Sequence, residues 1–129
     1  MVGVLADENM MRLFSDKWKH IKDRLIAMGY LIYRLPDYLL GKAITDKRII
    51  EYIKTMDFDG IITEDRDFVE THRSPLLWDM AKSGKIVLLV IRNPSSASRY
   101  EVIIEEYKPM IVAGKLQVRK KEILREIVG

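Results

Sequence analysis

Acidic side chains follow two apolar runs of this sequence and open one amphipathic segment. These acidic residues are Asp7, Asp46, Asp65 and Asp67. Asp7 comes directly after the run 2–6, and Asp65 and Asp67 come shortly after Ile61-Ile62. Short apolar runs of this kind are typical of buried strands. Because ligands of open α/β sheets bind outside the carboxyl ends of the strands, we expect these carboxylates to lie where chemistry takes place.

A cluster of carboxylates is unfavourable unless it holds protons or a cation. Two like charges about 4 Å apart repel by about 4 kcal/mol at an effective dielectric constant near 20, so the acids either acquire raised pKa values or bind a cation. The chain has no cysteine and only two histidines, which leaves oxygen ligands and favours Mg²⁺ or Mn²⁺. Such an ion activates water and neutralises the charge developing on a phosphodiester. The acids therefore predict metal-dependent phosphodiester hydrolysis.

Each acid also has a purely structural interpretation. Asp7 could cap the first helix, and either Thr45 or Asp46 could be the N-cap of the helix that runs to about Met56, since Thr and Asp are both favoured there. Asp65 or Asp67 could cap a short helix that runs to about His72. Glu64, between the two strand-end acids and the strand, is interpreted as a solvated charge. A metal site and a set of helix caps in a solvated loop are both compatible with these residues.

The elements that must position the acids alternate along the chain. Strands are predicted at 2–6, 30–35, 86–91 and 116–119 and at the run Ile61-Ile62, which Gly60 precedes and Thr63 ends. Helices are predicted at about 10–28, 46–56, 75–84, 96–108 and 120–128. The first helix is indicated by apolar side chains spaced three and four residues apart. Alternating strands and helices favour a mostly parallel sheet with helices on both faces. The predicted fold class is therefore α/β, a three-layer α/β/α arrangement whose central sheet has about five strands.

Composition limits the classes of function that need be considered. The 129 residues fit one domain, and 48% of them are hydrophobic, which argues against disorder. The longest apolar run, 86–91, is too short to span a bilayer, and residues 1–10 lack the basic start of a signal peptide. We therefore expect a cytoplasmic protein with no membrane association. The net charge of +3 and pI near 9.1 are compatible with a polyanionic partner.

Three segments resemble motifs of PIN domains, the fold of VapC-type toxin ribonucleases, and in particular a compact PIN-like branch of that family. Residues 4–9 (VLADEN) resemble its opening LLDEN motif, 45–50 (TDKRII) resemble its SDEEIL motif, and 61–68 (IITEDRDF) resemble its TrDkDF motif. The order and spacing of the segments also fit, and the likeness runs from about residue 2 to 119. The third segment is the most specific of the three.

The resemblance implies a Mg²⁺- or Mn²⁺-dependent ribonuclease that acts on single-stranded or structured RNA. Matching positions make Asp7, Asp46, Asp65 and Asp67 the catalytic, metal-binding acids. Asn9 and Thr63 are expected to support the site through hydrogen bonds, and Glu8 also matches the motif. The arginines expected to contact substrate phosphates are Arg34, Arg66 and Arg92. Family members are often homodimers, and a toxin of this kind is silenced by a small antitoxin protein that blocks the site.

Two departures from the family pattern stand out. Lys47-Arg48 follow Asp46 where the branch is commonly acidic, and residues 120–129 extend past the usual end. The domain prediction is accordingly one PIN-like domain, 1–129, with 120–129 as a C-terminal extension.

Two other functions compete with the nuclease. A non-catalytic PIN-like module could bind RNA or protein while keeping the fold. A phosphoacceptor receiver domain has a similar length and acidic strand ends, but it needs a lysine at the end of a late strand, whereas Arg92 follows the run 86–91 here.

Overall fold

The structure is a computed structural model that describes residues 1–39, 45–69 and 75–129. The described residues form a six-stranded sheet in the order β2-β1-β3-β4-β5-β6. Its strands are β1 (Val2–Ala6), β2 (Tyr30–Tyr33), β3 (Gly60–Thr63), β4 (Ile86–Pro94), β5 (Tyr100–Val112) and β6 (Lys115–Val128). β1 pairs in parallel with β2 and β3, and β3 pairs in parallel with β4. β5 is antiparallel to both β4 and β6.

Three α-helices are found in the described part of the chain, namely α1 (Lys19–Ala27), α2 (Asp46–Thr55) and α3 (Pro75–Lys82). Short 3₁₀ segments lie at Glu8–Phe14, Asp16–Trp18, Asp37–Leu39 and Arg66–Phe68. None of the helices among these residues is long and apolar enough to cross a membrane. The predicted extension of the short helix after Asp67 to His72 lies partly outside the described residues.

The predicted three-layer α/β/α PIN-like fold with a mostly parallel sheet of about five strands is wrong. The segment predicted as helix 96–108 is largely strand β5, and the predicted terminal helix 120–128 belongs to β6. Both strands pair antiparallel, and the β5–β6 ladder is the longest in the sheet. The three β-branched residues Val102–Ile104 favour a strand, and short apolar runs do not distinguish a helix from a strand by spacing alone.

Pro109 does not stop a helix but lies within β5. The last β4–β5 pair is Val87 with Tyr107, so at Pro109 the strand has a hydrogen-bonded neighbour, β6, on one side only. A proline is tolerated there because its missing N–H removes no bond to a second neighbour.

The predicted helix 10–28 is also interrupted. Ser15 has extended backbone angles, φ −88° and ψ 158°, and its hydroxyl donates to the Arg12 carbonyl at 2.6 Å. A serine side chain that binds a nearby carbonyl competes with regular helix formation. Trp18, Ile21 and Leu25 are buried, as predicted, but Met28 is 41% exposed, and two 3₁₀ segments precede α1.

Both faces of the parallel strands are covered. Side chains alternate along a strand, so Val4 and Ile62 pack on one face with Trp18 and α1, whereas Leu5 and Ile61 pack on the other with α2 and α3. All of these strand residues are fully buried. What remains open for binding at these strands is therefore their ends, where Asp7 and the loop after Thr63 begin.

Candidate active site at the ends of two parallel strands

Asp7 and Thr63 lie side by side where β1 and β3 end. Ala6 is in register with Ile62, and the Asp7 backbone N–H donates to the Ile62 carbonyl at 3.0 Å. The Thr63 hydroxyl donates to Asp7 Oδ2 at 2.8 Å. Asp7 is only 4% exposed and Thr63 is fully buried. The parallel pairing of the two strands thus fixes a buried carboxylate against a buried hydroxyl.

Asn9 joins the loops that follow the two strands. Its amide nitrogen lies 3.3 Å from Asp7 Oδ2 and 3.5 Å from Thr63 Oγ1. Its amide oxygen accepts from the Glu64 backbone N–H at 3.2 Å. Thr63 Oγ1 also accepts from the Asp65 backbone N–H at 3.0 Å. These bonds hold the Asp7 side chain and the start of the Glu64-Asp65 loop in one network.

Two of the acids also serve as caps. Asp7 Oδ1 accepts from the Glu8 backbone N–H at 2.8 Å, and Asp65 Oδ1 accepts from the Asp67 N–H at 2.9 Å. Capping therefore accounts for one carboxylate oxygen of Asp7 and one of Asp65. It does not account for Asp46, because Thr45 is the residue that caps α2, with its hydroxyl 3.3 Å from the Arg48 N–H.

Electrostatics connects Asp46 to the strand ends. Burial raises the pKa of Asp46, and the negative charges of Asp65, Asp7 and Asp67 raise it further. Burial also raises the pKa of Asp7, and the charge of Asp65 adds to this, although hydrogen bonds from Thr63, Glu8 and Asn9 act in the opposite direction. All four acids singled out in the sequence therefore share one electrostatic environment.

The residue types at this site favour a metal ion, whereas the positions of their side chains do not. Carboxylate oxygens are the ligands that Mg²⁺ and Mn²⁺ prefer, and a cation would relieve the repulsion that raises the pKa of Asp46 and Asp7. Within 1–39, 45–69 and 75–129, however, no group of three or more Asp, Glu or His side chains is arranged to hold an ion. The residues fit such an ion by type and charge, and binding would require their side chains to draw together.

Glu64 is not the solvated charge that the sequence suggested. Its side chain is 18% exposed, and Oε1 lies 3.1 Å from Arg12 Nη1 and 2.8 Å from Arg92 Nε. Arg92 Nη2 also donates to Oε2 at 3.3 Å. Sequence reasoning missed Arg12 because its partner is remote in the chain and no local spacing marks the contact.

Aromatic rings support the two arginines that share Glu64. The Arg12 guanidinium lies 5.8 Å from the centre of the Trp18 ring, and that of Arg92 lies 5.7 Å from the Tyr100 ring. Trp18 Nε1 donates to the Tyr100 hydroxyl at 3.0 Å. Cation–π contacts and a shared carboxylate give both guanidinium groups fixed positions beside the Glu64-Asp65 loop.

The remaining predicted residues lie around this centre to different degrees. Arg66 and Arg92 line, together with Glu64 and Asn93, a groove of about 390 Å³. Arg34 is exposed, with Nη2 3.9 Å from Asp37 Oδ1 and its guanidinium 5.8 Å from the Phe14 ring. Glu8 and Asp67 are exposed. The groove therefore brings Arg66 and Arg92 together, and Arg34 has partners of its own.

Comparisons with protein-family models, with curated proteins and with solved structures found no match for this chain. The resemblance to PIN domains therefore rests on the three short segments 4–9, 45–50 and 61–68 alone. The chemistry of the protein is inferred from the acidic residues at the strand ends.

Proposed function

We propose that the protein is a ribonuclease that hydrolyses phosphodiester bonds of single-stranded or structured RNA and depends on Mg²⁺ or Mn²⁺. The observation that carries this proposal is the coupling of Asp46, from α2, to the three aspartates after β1 and β3. Burial raises the pKa of Asp46, and the negative charges of Asp65, Asp7 and Asp67 lie close enough to raise it further. Such an arrangement costs folding free energy, and a function that requires a cation explains why it is present.

In this proposal Asp7, Asp46, Asp65 and Asp67 would hold the metal. A bound Mg²⁺ or Mn²⁺ lowers the pKa of a coordinated water and neutralises charge on the phosphodiester. Thr63 and Asn9 fix the Asp7 carboxylate through the bonds described above. They are positioning residues, because they act on the substrate through Asp7. Glu8 follows Asp7 and extends the negative charge of the edge.

Arginines beside the acids would bind the phosphates that flank the scissile bond. Arg92 and Arg66 share a groove next to the Glu64-Asp65 loop, and Arg12 is oriented by the same carboxylate as Arg92. A guanidinium group can donate two parallel hydrogen bonds to a phosphate. Arg34 would serve a more distant phosphate, since it lies beyond the end of β2 and is exposed.

The biological setting follows from the resemblance to toxin ribonucleases. We propose that the protein acts in the cytoplasm as the toxin of a toxin–antitoxin pair. A small antitoxin protein would cover the acidic edge, and a homodimer is the expected assembly. Each of these proposals depends on the nuclease activity and is tested after it.

The test is calorimetric titration with Mn²⁺ of the wild type, Asp65→Asn and Asp16→Asn, followed by incubation of each with a mixed-sequence RNA. Asp16 is an exposed acid outside the cluster, so its variant is the matched control. We expect Mn²⁺ binding and RNA cleavage by the wild type and Asp16→Asn, and loss of both in Asp65→Asn. A wild type that binds no Mn²⁺ would refute the metal site.

A second candidate function is a non-catalytic module that binds RNA or protein. It is favoured by the capping roles of Asp7 and Asp65 and by the lack of a ready-made group of metal ligands among the described residues. Wild-type RNA binding without Mn²⁺ uptake or cleavage would support this candidate against the nuclease.

A further inference from the structure

β5 and β6 extend as a two-stranded ribbon past the amino end of β4. The last β4–β5 pair is Val87 with Tyr107, and five β5–β6 pairs follow, ending with Val112 and Lys115. Ala113 and Gly114 connect the strands with positive φ angles of 51° and 75°, the geometry of a two-residue hairpin turn. We refer to residues 106–121 as the ribbon.

The ribbon contains a concentrated positive charge. A groove of about 500 Å³ is lined by Glu106, Lys108, Arg119, Lys120 and Lys121. These five side chains have a formal charge of +3, which equals the formal net charge of the entire chain. The formal charges of all other residues therefore sum to zero, so the net positive charge of the protein equals the charge of this groove.

Among the residues that the structure describes, two of these cations face each other without a carboxylate partner. Lys108 is directly opposite Arg119 in the ladder, and both side chains are exposed. The carboxylates nearby have other partners, because Glu106 accepts from the Tyr30 hydroxyl and lies 3.8 Å from Lys121. Like charges at directly opposed positions destabilise a sheet, so the pair has an energetic cost that an anionic ligand would offset.

Position and shape argue that the ligand is a polyanion that runs along the groove. Alternate residues of a strand share a face, which places Lys108, Arg119 and Lys121 together. Because β5 runs antiparallel to β4, Lys108 lies toward the amino ends of the parallel strands, away from the edge that holds Asp7 and Asp65. A concave groove with charged walls suits a linear phosphate backbone better than a flat lipid surface.

We propose that the ribbon is a docking site for the sugar–phosphate backbone of RNA, separate from the acidic strand ends. This inference rests on the proposed function for the identity of the polyanion, and it adds a second contact with the substrate. Cations that neutralise phosphates release counterions, so binding at the ribbon is expected to be independent of sequence and sensitive to salt.

The test measures binding of a fluorescent oligouridine to the full chain by anisotropy, in EDTA, so that no metal-dependent cleavage intervenes. The variant Lys108→Gln/Arg119→Gln is compared with Lys22→Gln/Lys82→Gln, which removes the same charge from α1 and α3. We expect the ribbon variant to lose about 10- to 30-fold in affinity near 0.1 M salt and to reduce the slope of log K against log salt by about 1.4, because each lost phosphate contact with a single strand contributes about 0.7. The control is expected to remain close to wild type.

Three results would overturn the proposal. The first is an equal change of affinity in the ribbon variant and the control, and the second is no RNA binding by the wild type. The third is ribbon-dependent binding to phosphatidylglycerol vesicles without binding to RNA, which would assign the groove to a membrane surface. The anisotropy assay needs neither metal nor cleavage, so it can be interpreted even if the protein is not a nuclease. Likewise, a failure of the docking proposal would not affect the test of Mn²⁺ binding and RNA cleavage.

Discussion

The strand-end acids and the ribbon carry charges of opposite sign, and they differ in burial and in hydrogen bonding. At the strand ends, Asp7 is buried, and each of its oxygens accepts a hydrogen bond from Glu8, Thr63 or Asn9. On the ribbon, Lys108 and Arg119 oppose each other in solvent, and neither has such a partner within the described ranges 1–39, 45–69 and 75–129. Burial makes an unpaired charge expensive, whereas water and salt screen exposed charges. The network therefore fixes the Asp7 carboxylate, whereas Lys108 and Arg119 lie in the solvent.

This difference predicts that substitutions near the acids cost far more stability than substitutions on the ribbon. The strongest test is Gly60, which begins the strand that leads to Thr63. A Cβ atom at this position would lie 2.1 Å from the Ile86 carbonyl oxygen, and backbone of the neighbouring strand cannot move away cheaply. We expect Gly60→Ala to lower the free energy of unfolding by about 3 kcal/mol or more, measured by urea denaturation.

Gly3→Ala is the matched control on the adjacent strand. Its Cβ would approach the ring of Tyr33 most closely, at 3.2 Å, with Asp59 Oδ2 at an ordinary contact distance of 3.8 Å. Tyr33 is 42% exposed and can shift. The expected loss is below about 1 kcal/mol, the range of a small steric adjustment. If both variants unfold at the same urea concentration, the close β3–β4 approach does not constrain the site.

Thr63 tests the hydrogen-bond network itself. Thr63→Val keeps the shape of the side chain but removes the hydroxyl that donates to Asp7 and accepts from the Asp65 N–H. The buried Asp7 carboxylate loses a donor, and the partly buried Asp65 N–H and Asn9 amide lose an acceptor. We therefore expect the free energy of unfolding to fall by about 1–3 kcal/mol. Thr63→Ser, which retains the hydroxyl, should lose clearly less. Equal losses would show that the methyl group, and not the network, is what matters.

The pH dependence of stability tests whether the burial of Asp7 has a cost. Its pKa is raised above 3.8, chiefly by burial, so the folded protein holds this proton more tightly than the unfolded chain does. Stability is therefore highest while Asp7 is protonated, and it falls as pH rises from about 3.8 through the raised folded pKa. Asp7→Asn cannot ionise and escapes this loss.

We therefore expect the free energy of unfolding of Asp7→Asn, minus that of the wild type, to rise with pH over that interval and then to stay constant. Urea denaturation from about pH 4 to pH 7 measures it. Asp23→Asn, at an exposed acid of α1, controls for loss of a charge. A difference that falls with pH would mean that the hydrogen bonds from Thr63, Glu8 and Asn9 outweigh burial.

The same contrast explains which parts of the molecule the sequence could predict. β1 and α2 follow local signals, an apolar run and a capped amphipathic segment, and their observed bounds, Val2–Ala6 and Asp46–Thr55, confirm the predictions. The start of the helix also predicts that Asp46 lies near the acids of the strand ends, and the charges of Asp65, Asp7 and Asp67 add to burial in raising its pKa.

β5 and most of β6 could not be predicted in the same way, although the predicted strand 116–119 does lie within β6. Tyr100, Ile103, Ile104 and Tyr107 fit a helical stripe by spacing, and pairing with β4 and β6 makes this segment a strand. The contact of Arg12 with Glu64 likewise depends on how distant segments meet. Local patterns carry no information on such pairings, so the ribbon and the arginine pair emerged only from the structure.

The smallest predicted effect concerns the ribbon and has opposite signs for stability and binding. Lys108→Glu converts the like-charge pair with Arg119 into an attractive one, so we expect the free energy of unfolding to rise by about 0.2–1 kcal/mol, with Lys108→Gln intermediate. Affinity for oligouridine should fall in the same order, because a phosphate contact is lost and then replaced by repulsion. A variant that is both less stable and unchanged in RNA affinity would show that Lys108 faces neither Arg119 nor the nucleic acid in solution.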